Sequence, residues 1–144
     1  MEHTDSVKLL KECDAGSKMA VASIDDVLEK VTNSELKSLL QESKDHHEKL
    51  GNEIHSILNE RGKCEKDPNP VAKGMSWMKT NMKLGMDNSD ATVADLMTDG
   101  CNMGVKSLNK YLNKYEAADE VSKDIAKRLI NLEEKLAVDI RDYL

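Results

Sequence analysis

The chain has 144 residues, 27 acidic against 21 basic side chains, a net charge of −6 and no phenylalanine. That is one domain's length, enough to bury a core without staples, and the acidic balance spread over mixed Lys/Glu surfaces lacks the basic face that nucleic-acid binding needs. The apolar runs are short and the start of the chain is amphipathic and acidic, so neither a membrane span nor a signal peptide is expected.

Cys13, Cys64 and Cys101 are odd in number and form no CxxC pair, which writes neither a disulfide framework nor a zinc knuckle and fits a reducing cytoplasm. With few aromatics, the core must be built from Leu, Ile, Val, Ala and Met, a composition that favours helix over strand.

The first helix is expected over residues 5–31, where Leu10, Cys13, Ser17, Ala20, Ile24, Val27 and Val31 recur at spacings of three and four and so share one face. Asn33 or Ser34 caps a second helix. The turn before it is short, so this helix lies antiparallel to the first. Its stripe is Leu36, Leu40, Ser43, His47, Leu50, Ile54 and Ile57, and it ends near Arg61-Gly62, where glycine can take the left-handed conformation.

Residues 62–89 form a long connection, opened by the breaker sequence Asp67-Pro68-Asn69-Pro70. Within it Val71, Met75, Met78 and Met82, with Trp77 alongside, keep helical spacing and predict a short crossover helix lying across the bundle. Met75, Met78 and Met82 either pack down as core or, with Trp77 as anchor, form an adaptable partner surface, because unbranched thioethers mould to what they touch. A haem held by Met and His47 rests on residue types alone.

A third helix starts at Ser89 or Asp90 and carries Met97, Cys101, Gly104, Leu108, Tyr111 and Tyr115 on one stripe. A fourth, capped by Asp119 or Ala118, carries Val121, Ile125, Leu129, either Leu132 or Glu133, then Leu136, Ile140 and Leu144.

The second pair of helices repeats the first. Gly16, Met19, Val21, Ser23, Leu28 and Lys30 recur at one constant offset as Gly100, Met103, Val105, Ser107, Leu112 and Lys114. After two one-residue slips, Glu48, Lys49, Leu50 and Ile54 recur as Glu134, Lys135, Leu136 and Ile140. Two equivalent antiparallel hairpins, 5–61 and 90–144, make a single four-helix-bundle domain over 1–144, and such a bundle places any site at its centre. The repeat aligns Ser17 with Cys101 and His47 with Glu133. If Glu133 points inward, His47 and Glu133 form a buried pair with Cys101 packed as a small hydrophobe. Alternatively, His47, Glu133 and Cys101 hold a single zinc or iron ion, since imidazole, carboxylate and thiolate are all competent ligands. If Leu132 takes the inward place, the constellation dissolves. Cys64, between Lys63 and Glu65-Lys66, is an ordinary surface thiol or, with lysines beside it, a redox-active one.

The hairpin duplication, the long crossover, the phrases Gly16-Ser17-Lys18 and Gly100-Cys101-Asn102, the stretch NSELKSLL from Asn33 to Leu40 and the segment around Trp77 resemble an uncharacterised bacterial family of ferritin-like proteins over essentially the whole chain. The resemblance implies an all-α ferritin-like bundle, its second and third helices parallel, and a bacterial housekeeping or stress-associated role. Catalytic members of that superfamily build a di-iron centre from two Glu and two Glu-x-x-His motifs. Here the residues three before His46, His47 and His55 are Ser43, Lys44 and Asn52. Glu42 and His46 share a helix face but stand beside the stripe, as a solvated pair would. The expectation is therefore a metal-free, cofactor-free bundle that acts without catalysis, by association with itself or with another protein.

Overall fold

The computed structural model describes residues 2–62 and 89–144, and among these the secondary structure is entirely helical. Four helices, α1 (Glu2–Leu28), α2 (Ser34–Glu60), α3 (Asp90–Lys114) and α4 (Glu120–Asp139), are followed by a single 3-10 turn, Arg141–Tyr143. Each of the last three helices opens on a side-chain cap that satisfies an orphan N–H. Asn33 accepts from the N–H groups of Glu35 and Leu36, Ser89 from Thr92 and Asp119 from Ser122. Glu35, Asp90 and Glu120 then place a carboxylate in each first turn, against the positive end of the helix dipole.

One expected boundary shifts. The first helix stops at Leu28 rather than near Val31, because the chain tightens through bonds from Lys30 N–H to the Val27 carbonyl and from Val31 N–H to that of Leu28. Val31 stays buried from outside the helix. The second helix ends as its sequence implies, with Gly62 at φ 69° and its N–H on the Asn59 carbonyl, 3.0 Å away.

Contacts at the helix ends fix their directions. Asp5 and Ser6, in the first turns of α1, accept the N–H groups of Ala117 and Asp119 at 3.1 and 2.8 Å, so α1 starts where α3 ends and α4 begins. At the opposite end Asp90 accepts from Thr32 and Asn33, so α3 starts where α1 ends. Arg61 meets Asp119 at 2.9 Å, bringing the end of α2 to the start of α4. It follows that α1 and α4 run one way and α2 and α3 the other, and that Gly62 and Ser89 stand at opposite ends of the bundle. Helices α2 and α3 face each other across the diagonal, while α1 packs on α2, α3 and α4.

The apolar core falls into two blocks. One gathers Leu9, Leu10, Cys13, Leu50, Ile54, Leu58, Leu108, Ile125 and Leu129 around the end where α1 begins. The other gathers Ile24, Val27, Leu36, Leu40, Val93, Met97, Cys101, Leu136 and Ile140 towards the end where it finishes. Each fully buried Leu or Ile contributes about 1.5–3 kcal/mol on leaving water. The expected stripes fill these blocks with three corrections. Leu58 rather than Ile57 closes the α2 stripe, since Ile57 is only half-buried. Val121 is exposed and Ser122 is buried in its place, in register at spacings of three and four with Ile125 and Leu129. Leu144 is exposed beyond the 3-10 turn.

A buried polar belt and an apolar groove

Between the two apolar blocks lies a belt of buried polar side chains contributed by three helices: Ser17 from α1, His47 from α2 and Glu133 from α4. The three-and-four rhythm of Leu40, His47, Leu50 and Ile54 carries the imidazole inward until none of it is exposed. Its Nδ1 lies 2.8 Å from the Ser43 carbonyl oxygen, one helical turn back, and donates to it. Its Nε2 faces Glu133 Oε1 at 3.6 Å, just beyond hydrogen-bonding reach, and is otherwise unpartnered. Burial is the largest influence on His47 and opposes its charge, but the Glu133 carboxylate and the Ser43 carbonyl outweigh it and hold the imidazole pKa above its ordinary value.

Glu133, not Leu132, takes the inward position on α4, and it is only 8% exposed. The reason stands on the neighbouring helix. A Cβ on Gly104 would lie 3.3 Å from Glu133 Oε1 and 3.5 Å from its Cδ, so the missing side chain on α3 makes room for the carboxylate. The Cys101 thiol donates to Glu133, and burial followed by that negative charge pushes the thiol pKa far upward. Cys13, buried near Glu12 and Asp14, is pushed up to about 12. Both thiols are therefore held protonated and behave as small apolar groups. Ser17 donates to the Asp14 carbonyl at 3.0 Å, and a Cβ on Gly51 would stand 3.3 Å from its Oγ, a close approach of α1 to α2.

The structure thus joins His47 to Glu133 and Glu133 to Cys101, as a chain of pairs. Among the described residues no three His, Cys, Asp or Glu side chains are disposed to hold a metal ion, the trio His47, Glu133 and Cys101 included. Glu42 is exposed and His46 half-buried beside the belt. Trp77, Met75, Met78, Met82 and Cys64 lie outside the described residues.

One buried acid was missed in the sequence. Asp14 is buried on α1 next to the Cys13 stripe, with Lys18 3.1 Å from Oδ2 and His55, on α2, 3.1 Å from Oδ1. The Lys18 partner sits at i+4 and was readable as such; His55 is distant in sequence and was not.

The belt forms part of the floor of a groove between α1 and α3, a cavity of about 260 Å³. Small residues hollow it out: Ala15, Gly16, Ala20 and Ser23 on one side, Gly100, Gly104 and Ser107 on the other. Met97, Leu108 and Leu136 line it more deeply, and Glu133 and Cys101 reach it from below. Met19 and Met103 also line it, and they remain 39% and 51% exposed. Glu12 and Tyr111, which are hydrogen-bonded to each other, also line it. The lining holds two carboxylates and no Lys, Arg or His. His47 does not reach the groove; the belt separates it from solvent.

No described helix is long and apolar enough to cross a membrane. No protein-family model, curated protein or solved structure matches this chain.

Proposed function

We propose that this chain is a ferritin-like four-helix bundle without a di-iron centre, working by association rather than catalysis, and that the groove between α1 and α3 receives the apolar face of a partner helix flanked by basic residues. The parallel run of α2 and α3, with Gly62 and Ser89 at opposite ends, supports the ferritin-like reading, as does the duplicated hairpin in the sequence. A bacterial, cytoplasmic setting follows from the family resemblance and from the free thiols of Cys13 and Cys101.

The observation that carries the association reading is the exposure of Met19 and Met103 beside a trough of small residues. Methionine adapts to a partner's shape, and helix-in-groove recognition sets apolar anchors into such a trough. Glu12, with no Lys, Arg or His beside it in the lining, favours a partner of opposite charge, as does the net charge of −6. The belt offers little to catalysis: its imidazole is turned from the groove, and the Cys101 thiol is kept protonated.

Fluorescence anisotropy with an amphipathic Leu/Lys helical peptide, and with its Leu/Glu counterpart, tests the reading, alongside the sedimentation mass of the parent and of Met103→Glu. The basic peptide is expected to bind a monomer, the acidic one to fail, and Met103→Glu to weaken binding at least tenfold, an energy of about 1.4 kcal/mol. A dimer in the parent that Met103→Glu dissociates would put a second copy of the chain in the groove. A monomer that binds neither peptide overturns the reading.

A further inference from the structure

Neutral imidazole has one N–H and one lone pair, and the nearest group to each nitrogen of His47 is an acceptor; the Ser43 hydroxyl, which can donate, stands further off, 3.4 Å from Nδ1. The Ser43 carbonyl stands 2.8 Å from Nδ1 and the Glu133 carboxylate 3.6 Å from Nε2. With the proton on Nδ1, the Nε2 lone pair confronts a carboxylate oxygen. With the proton on Nε2, Nδ1 confronts the carbonyl. Either tautomer sets acceptor against acceptor inside the core, a cost that buried polar groups avoid. One additional proton relieves both contacts, whether it rests on the imidazole or on the carboxyl.

We propose that the α2–α4 seam is closed by a single buried proton carried by the facing pair of His47 Nε2 and Glu133 Oε1, as an imidazolium opposite a carboxylate or an imidazole opposite a carboxylic acid, and that the seam loosens when that proton leaves. This does not depend on what occupies the groove.

The Ser43 hydroxyl stands at Nδ1 and does not serve Nε2, and beside Ser43 on the same seam Glu42 and His46 face Lys135, which is bonded to Asp139 at 2.6 Å. From α4 the facing ionisable group is Glu133 itself. From α3 it is Cys101, whose thiol already donates to Glu133. From α1 Ser17 turns its hydroxyl to the Asp14 carbonyl. The charged cluster of Asp14, Lys18 and His55 lies two helical turns further along α2, about 12 Å at 1.5 Å per residue. On α2, Lys44 is committed to Asp25 at 2.6 Å. Arg128 and Glu53 clasp the outside of the same seam through two bonds of 2.8 Å, and both stay charged throughout the imidazole range.

The direction of the pH effect follows from the raised pKa of His47. The folded protein keeps this proton at pH values where the unfolded chain has released it. The pair's contribution is therefore complete below about pH 6.5, the ordinary imidazole value, and is lost as the pH rises through the raised one.

Two measurements test this: urea unfolding of the parent and of Glu133→Gln from pH 6 to 10, and the imidazole nitrogen chemical shifts of His47 over the same range. In the variant the amide NH2 can donate to Nε2 while the amide oxygen accepts the Cys101 thiol, so the extra proton is no longer needed. The parent's folding constant is expected to fall by up to about tenfold per pH unit between 6.5 and the raised value, relative to a variant that lacks this phase. His47 in the parent should carry protons on both nitrogens at pH 7, or give the shifts of an imidazole hydrogen-bonded to a carboxylic acid. Parallel pH profiles for the two proteins overturn the proposal. If Glu133→Gln fails to fold, the parent's nitrogen shifts decide, and an Nε2 that is bare and free of any hydrogen bond at pH 7 overturns it.

Discussion

Asp90 grips Thr32 with both carboxylate oxygens, Oδ1 accepting the backbone N–H and Oδ2 the hydroxyl, each at 2.9 Å. Oδ2 also accepts the N–H of Asn33, so the first residue of α3 caps the turn of the other hairpin. These bonds, the Thr32 N–H foremost, hold the Asp90 carboxyl below its ordinary pKa. A depressed carboxylate stabilises the fold above its unfolded pKa and ceases to do so as pH falls through the folded one. Asp90→Asn should therefore lower the melting temperature at pH 7, and the gap between variant and parent should close as the pH falls from the ordinary carboxylate value of 3.8 through the lower folded one. Calorimetry at a series of pH values checks this, and a gap that persists in acid would show that charge is not what matters at this position.

Two glycines lining the groove should respond oppositely to an added methyl. At Gly16 the new carbon would meet Leu129 Cδ2 at 3.5 Å, ordinary contact, so Gly16→Ala should gain the helix propensity of alanine, about 0.5–1 kcal/mol. At Gly104 it would press on the Glu133 carboxylate, which His47 and Cys101 hold from other sides. Gly104→Ala should lose about 1 kcal/mol despite the same propensity gain. Denaturant midpoints for the pair decide it.

The buried thiols should be inert. In a Cys64→Ser background, Cys13 and Cys101 should react with a disulfide reagent at pH 8 only as fast as the protein unfolds, because burial keeps both thiols protonated. Rapid reaction of either one in native protein would mean that the belt or the core beside it opens readily.

Protein made in iron- and zinc-replete medium should contain well under one metal ion per chain by elemental mass spectrometry, since the described acids, imidazoles and thiols do not converge in threes. A stoichiometric metal that disappears in His47→Ala would restore the central ion.

The sequence makes much of this fold readable. The stripes of Leu36, Leu40 and Ile54 and of Ile125, Leu129 and Leu136 have a period only a helix can bury on one side, and Asn33, Ser89 and Asp119 are caps by residue type and place. Periodicity failed where two neighbours satisfy it equally. Leu132 and Glu133 both follow Leu129 at helical spacing, and what selects Glu133 is an absent side chain at Gly104, on another helix. Asp14 was invisible as a buried acid because one of its partners, His55, comes from α2. The groove was hidden for a similar reason. Gly16 and Gly100 read as a repeated motif, whereas their effect is volume left empty, which only the packing of α1 beside α3 reveals.

The end contacts carry a further implication. Asp5 and Ser6 serve the turn before α4, and Asp90 serves the turn before α2. Each hairpin thus supplies acceptors at its leading end and donors at its bend. A lone hairpin cannot bring its own leading end to its own bend, because a helix more than twenty residues long keeps them apart. The two hairpins are therefore interlocked at both ends, and neither set of end bonds survives if one hairpin is released from the other.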